Sequence, residues 1–272
     1  MFNDDLKQIQ RMTPLMQKVL IIDPASSSAR MLADLMRSIA PVQMWNAPGT
    51  RKGLEAARQV NPQLIFVELA GPDLDGIDFA RQLRRSDMAC RKAPIIIVTA
   101  TATAAAITGC RDAGVHEFLR KPYTTKDLLR RLEAVTLRPR DWVEAVEYIG
   151  PDRRRFNSGD YSGPLKRRSD VKATPEAARI TQALKILRAA VPAVKTDPTQ
   201  AMRAMLAQMV ELQRAATVTK NPALAKATVE FQLYLAKAAQ AGALSAEEMG
   251  QQAAPLLAFL PKEEQTPKGQ AA

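Results

Sequence analysis

Residues 64–84 read LIFVELAGPDLDGIDFARQLR. Leu64-Ile65-Phe66-Val67 is a short apolar run with no polar break, and such a run predicts a strand buried on both faces. Pro72-x-x-Asp75-Gly76 then supplies turn chemistry, and GIDFARQLRR (76–85) takes up helical spacing. One polar residue, Glu68, falls where the strand hands over to the turn.

The same alternation extends in both directions. KVLIID (18–23), VQMWNA (42–47), QLIFVEL (63–69), APIIIVTA (93–100) and VHEFL (115–119) read as five strands. SSSARMLADLMRSIA (26–40, opening on serine), GTRKGLEAARQV (49–60), GIDFARQLRR, TATAAAITGCRDAG (101–114) and TTKDLLRRLEAV (124–135) read as the helices between and after them. Short apolar strands alternating with helices predict a five-stranded parallel, doubly wound α/β sheet over 18–136. Right-handed crossovers gather the strand C-termini at one end, where sites in such folds lie.

Two stretches carry a family resemblance: LIFVELAGPDLDGIDFARQLR, and GVHEFLRKPYTTKDLLRRL (114–132) with its Lys-Pro step and preceding aromatic. Together, in order and at this spacing, they resemble the receiver domain of two-component response regulators, a flavodoxin-like fold. The resemblance covers a little under half the chain. It implies a site in which an aspartate ending the third strand takes a phosphoryl group and carboxylates after the first strand hold Mg²⁺. A lysine and a hydroxyl then read the phosphoryl oxygens, and an aromatic reorients as output. Lys121, Thr99 and Phe118 match the lysine, hydroxyl and switch aromatic, and Asp23 matches the first acidic position.

Two positions depart from the family. Pro24 stands at the second acidic position and has no side-chain ligand. Glu68 stands at the phosphoacceptor position, one methylene longer than aspartate. The resemblance, read with these departures, implies weak or absent Mg²⁺ binding, no cofactor and a Glu68–Lys121 ion pair. The result is a phosphorylation-independent signalling or scaffold domain, either inert or a mimic of the active form. Asp73 and Asp75 read as turn formers, and His116 as a surface or strand-edge residue.

Residues 137–173 break the pattern and read as a basic linker or wrapping arm. Tyr148-Ile-Gly-Pro-Asp-Arg-Arg-Arg155 recurs as Tyr161-Ser-Gly-Pro-Leu-Lys-Arg-Arg168. Arg153, Arg154, Arg155, Lys166, Arg167 and Arg168, interleaved with aromatics, suit phosphate or base contacts; pairing with the chain's own acidic residues, protein docking and plain solvation are the competing readings. Residues 174–260 predict a small all-α bundle. Thr174-Pro175, Asp197-Pro198 and Asn221-Pro222 each place a cap before proline, and Ser245 with Glu248 has capping-box spacing. Apolar stripes run through Ile180, Leu184, Leu187 and Val191, then Met202, Met205, Leu206, Met209 and Leu212, and continue with Leu224, Phe231 and Leu235. Residues 1–17 read as an N-terminal helical segment and 261–272 as a disordered tail.

Composition narrows the function classes. One histidine and two cysteines without metal-ligand spacing argue against a His-based triad or a zinc site. No nucleophile–base pair can be assembled, so no enzyme is expected. No apolar run reaches membrane length, and the N-terminus lacks a signal pattern, so a cytoplasmic protein is expected. A net charge of +11 favours anionic partners. The leading expectation is action by contact with protein partners, such as a histidine kinase or phosphotransferase, with a homodimer possible. The alternative is a nucleic-acid or cyclic-nucleotide binder using the arginine-rich arm.

Overall fold

The structure, a computed structural model, describes residues 2–153, 174–242 and 245–261. By internal contacts the chain divides into two units. The first is residues 1–143 with Tyr148–Arg155; the second holds Glu144–Glu147 and the helices from Pro175 onward.

The first unit is a five-stranded sheet of β1 (Lys18–Ile22), β2 (Gln43–Ala47), β3 (Leu64–Glu68), β6 (Ile95–Thr99) and β7 (Glu117–Arg120). The order is β2-β1-β3-β6-β7 and every pairing is parallel. Between β3 and β6 lies a two-stranded antiparallel turn of β4 (Ala70–Gly71) and β5 (Leu74–Asp75). Strand period sorts the side chains onto two faces. Val19, Ile21, Leu64, Phe66 and Ile96 meet α2 (Ser26–Ile39) and α6 (Thr125–Thr136). Leu20, Ile22, Ile65, Val67 and Ile97 meet α3 (Thr50–Val60), α4 (Gly76–Arg85) and α5 (Ala104–Asp112). Both faces are dry, so these strands carry no polar alternation.

Helix α1 (Phe2–Met12) packs against α6. Met12, and Met16 beyond it, are fully buried in the α2/α6 face; burial of each contributes about 2 kcal/mol. Asp75 caps α4 by accepting from the Ile77 and Asp78 amides, and Asp73 takes a left-handed turn conformation (φ 55°). Both are turn formers, as the sequence predicts. Helix α2 opens on Ser26, as the sequence predicts, with Ala25 at the N-cap and no side-chain cap bond.

Past α6 the chain is more structured than a plain linker. β8 (Trp142–Glu144) and β9 (Ile149–Pro151) form a two-stranded sheet. In the second unit, α7 (Pro175–Ala193), α8 (Pro198–Val218), α9 (Pro222–Ala241) and α10 (Ala246–Leu257) pack α7 on α8 and α10, and α9 on α8 and α10. Thr174, Asp197, Asn221 and Ser245 each accept the expected amide bond. Leu184, Leu187, Met205, Met209, Leu212, Phe231 and Leu235 are buried in one core. Leu206 departs from its stripe and is 42 % exposed, since it lies on the outward face of α8. Two glutamines on α8 are buried for a local reason. Gln200 donates to the Glu144 carboxylate and Ala145 carbonyl, and Gln208 to the Glu144 carbonyl. Among the described residues no helix is long and apolar enough to cross a membrane.

Candidate functional site

Glu68 ends β3, Asp23 follows β1, Thr99 ends β6 and Lys121 follows β7, so parallel strands deliver all four to one end of the sheet. Lys121 stands at the centre. Its Nζ donates to Glu68 Oε2 at 2.6 Å, to Ser28 Oγ at 2.7 Å and to Asp23 Oδ2 at 3.2 Å. The carboxylates are fixed from behind: Glu68 Oε1 accepts from the Leu69 amide and Asp23 Oδ1 from the Ala25 amide. Backbone positions the lysine, because the Lys121 amide donates to the Thr99 carbonyl.

The side chains are largely withdrawn from water, with 22 % of Lys121, 14 % of Glu68 and 8 % of Asp23 exposed. Burial alone would lower the Lys121 pKa. The hydrogen bond to Glu68 and the charge of Asp23 outweigh it and hold the ammonium above its ordinary range.

The side chains of Thr99 and Phe118 are not among the hydrogen-bond partners of the Lys121 ammonium, and Thr99 meets Lys121 through its backbone carbonyl. The Thr99 hydroxyl accepts from the Thr101 amide. Phe118 is half-buried and packs on the α4/α5 face of the sheet. Pro24 lies against the β4–β5 turn, where a Cβ added at Gly71 would come 2.5 Å from Pro24 Cγ. Sequence reasoning missed Ser28. Its place in a serine run at a helix start reads as capping, and only the fold shows it facing a lysine far along the chain.

The basic candidates divide. Arg153 belongs to the first unit, where it bonds Asp112 at 2.6 Å and lies 4.0 Å over the Tyr148 ring. Arg154, Arg155, Lys166, Arg167 and Arg168 lie outside the described residues.

A second buried cation sits at the opposite end of the sheet. Arg84, 1 % exposed, donates from Nε and an Nη to the Gly114 carbonyl and from the other Nη to the Arg91 and Ala93 carbonyls. It also reaches His116 Nδ1 at 3.2 Å, where the Ile95 amide donates too. Two donors on one ring nitrogen fix His116 as neutral with its proton on Nε2. Burial, then the charges of Arg84 and Arg140, push its pKa well below 6.5. His116 precedes the edge strand β7 and is half-buried, as a strand-edge residue, and its Nδ1 ties that edge to Arg84 and to the Ile95 amide. The two cysteines are buried, and burial pushes the Cys110 thiol up to about 11.

Comparison with known proteins finds matches to residues 19–133 of the chain. Residues 19–133 match the family model described as the response regulator receiver domain. The DNA-binding response regulator MtrA of Mycobacterium tuberculosis (strain ATCC 25618 / H37Rv) is 29 % identical over 123 residues, which cover 45 % of this chain and 52 % of MtrA. The transcriptional regulatory protein PdtaR of the same strain is 28 % identical over 131 residues, covering 48 % of this chain and 62 % of PdtaR. The chain thus spans about half the length of the curated relatives it matches. Among solved structures, the Vibrio cholerae chemotaxis protein CheY4 is 22 % identical with a TM-score of 0.41, covering 44 % of this chain and 98 % of CheY4. The signal receiver domain of a Syntrophus aciditrophicus signal transduction histidine kinase is 19 % identical with a TM-score of 0.40, covering 44 % of this chain and 89 % of that one. With its parallel sheet, its Lys-Pro step and its carboxylates at the strand ends, the segment 19–133 of this chain is a response regulator receiver domain of the two-component type.

Proposed function

We propose that this receiver domain signals by contact with protein partners of a two-component pathway, without phosphorylation at its own acceptor position. The observation that carries this reading is the Lys121 ammonium seated on Glu68, Asp23 and Ser28 at 2.6, 3.2 and 2.7 Å. Each Glu68 oxygen accepts one hydrogen bond, Oε2 from Lys121 and Oε1 from the Leu69 amide, and this pair of contacts orients the carboxylate toward the lysine.

The family's Mg²⁺ does not fit this residue set. Asp23 and Glu68 are the carboxylates at the strand ends, Pro24 supplies no side-chain oxygen, and both carboxylates already face an ammonium. A hard divalent ion takes about six oxygen ligands and is repelled by a cation held between them. Lys121 acts in its stead as a resident counter-ion. The partners this reading names are a histidine kinase, a phosphotransferase or another signalling protein that reads receiver surface.

The test is phosphorylation of the full chain by acetyl phosphate with Mg²⁺, read by intact mass and peptide mapping. The expected result is no phosphate on the wild type. Acyl phosphate on Glu68 overturns the proposal. Partner capture by a purified histidine kinase that is equal for wild type and Glu68→Gln supports contact without phosphotransfer.

The net charge of +11 supports a second reading, nucleic-acid or cyclic-nucleotide binding by the arm. Arg153 contributes little to it, being engaged by Asp112 and Tyr148. Salt-dependent binding of generic DNA that disappears when Arg154, Arg155, Lys166, Arg167 and Arg168 are all changed to alanine supports this reading; binding that survives removes it.

A further inference from the structure

A cleft between α2 and the sheet edge carries polar groups that the Lys121 shell does not use. β2 is an edge strand, and its period of two turns Met44 and Asn46 to the α2 side and Trp45 and Ala47 to the other. Met44 packs into the α2/α6 face, as a strand residue on that side should. Asn46 does not follow: it is exposed, and its side-chain amide has no hydrogen bond among the described residues. It lines a cleft of about 300 Å³, at the lower end of the range for small-molecule sites.

Helix α2 supplies the facing wall. Ser26, Arg30, Ala33 and Arg37 recur at helical spacing and line the cleft along one face. Ala29 and Ala33 are buried and form its floor, leaving space that a leucine at either position would fill. Arg30 is exposed and has no ion pair or hydrogen bond among the described residues. Asp34, one turn further on, is taken by one Nη of Arg37 at 2.8 Å. That pair is exposed and contributes little, so the other Arg37 donors remain open to a ligand. Asp23 bounds the cleft beyond Ser26. Each of its oxygens accepts one bond, Oδ1 from the Ala25 amide and Oδ2 from Lys121, and each keeps a second lone pair.

We propose that this cleft binds a small sugar phosphate, with the phosphate on Arg30, Arg37 and the Asn46 amide and the sugar hydroxyls on Ser26 and Asp23. The chemistry of the walls selects that class. Guanidinium forks match phosphate oxygens. The Asp23 carboxylate at the other end repels a second anion and accepts from hydroxyls, so a molecule with one charged end and one hydroxyl-bearing end satisfies both. Free phosphate satisfies the arginines and leaves Asp23 and Ser26 without a partner from the ligand. The alanine floor admits a compact ring and no larger body. The inference does not rest on the Glu68 reading, because Glu68 is not among the residues of the cleft.

Calorimetric titration of the full chain with ribose 5-phosphate, inorganic phosphate and ribose tests it. Ribose 5-phosphate is expected to bind about tenfold more tightly than inorganic phosphate, and ribose alone to give no heat. Arg30→Gln removes charged hydrogen bonds from an exposed position and is expected to weaken ribose 5-phosphate about tenfold. Asn46→Ala removes a neutral one and is expected to weaken it about threefold. Arg51→Gln, on α3 and paired with Glu55, is the control for general attraction to a basic chain and is expected to change nothing. Equal affinity for ribose 5-phosphate and inorganic phosphate overturns the assignment of a sugar phosphate. Unchanged binding in Arg30→Gln, a loss in Arg51→Gln as large as in Arg30→Gln, or no binding of ribose 5-phosphate at millimolar concentration overturns the site.

Discussion

Lys121 and Arg84 are two buried cations at opposite ends of one parallel sheet, and they are held by opposite chemistry. Lys121 is met by two carboxylates and a hydroxyl. Arg84 is met by backbone carbonyls and a neutral imidazole. The pKa directions follow: the carboxylates hold Lys121 above its ordinary range, while complete burial drops Arg84 to about 9. Carbonyl dipoles can solvate a guanidinium but cannot neutralise it, so that end of the sheet is a fastening for local backbone. At the other end two carboxylates neutralise the lysine, so there charge is matched by charge, whereas the arginine is matched by dipoles.

The largest effect is expected from Arg84→Met. It takes the guanidinium donors from the Gly114, Arg91 and Ala93 carbonyls in a dry site, and should cost about 4 kcal/mol in equilibrium denaturation. Arg84→Lys should recover less than half, because three donors on one point cannot span carbonyls that a planar fork reaches. If Arg84→Met costs under about 1 kcal/mol, the carbonyl cage is not what holds that end and the contrast collapses.

Gly114→Ala comes next. The positive φ and the approach of the Ile149 carbonyl together should cost about 2–3 kcal/mol, with faster proteolysis after Arg153 as residues 148–153 loosen. Glu68→Gln is expected to cost about 1–2 kcal/mol, since the shape remains and Asp23 still faces Lys121. It should also make a difference at alkaline pH. Lys121 is raised in the fold, so its contribution is fully present below its ordinary pKa of 10.5 and is lost as pH rises through the higher folded value. Wild-type stability should fall more steeply than that of Lys121→Met above pH 10.5, and parallel curves would remove the ion pair from the comparison.

The smallest effect belongs to His116. Its folded pKa lies well below 6.5, so below pH 6.5 the unfolded chain takes up a proton that the fold refuses. Stability should decline from about pH 6.5 downward by at most about 1.4 kcal/mol per pH unit. His116→Asn, with a side-chain oxygen that can accept from Arg84, should flatten that limb while leaving the alkaline one unchanged.

The three central strands β1, β3 and β6 were legible because each is a short apolar run between turn residues, buried on both faces, while the edge strands β2 and β7 carry exposed polar residues and give a weaker signal. The ends were less so: QLIFVEL suggests a strand to Leu69, but pairing with β6 stops at Glu68, whose side chain turns to Lys121. The bundle's N-termini were legible because a cap followed by proline is a local signal that needs no partner. Leu206 shows where periodicity misleads, since a stripe drawn from methionines and leucines on an Ala-rich helix can include a residue from the opposite face.

What the sequence by itself determined is the sheet, the helices, and the gathering of the strand C-termini at one end, because strand period and crossover handedness are properties of the local chain. Only the tertiary structure decided that Ser28 completes the shell around Lys121 while Thr99 meets it through a backbone carbonyl, that an arginine in an ordinary helical stretch is buried among carbonyls, and that residues 148–153 pack against the turn at Gly114. Those outcomes depend on distances between residues remote in the chain. A side chain's partner is fixed by where the backbone brings it, and residue type alone does not carry that information.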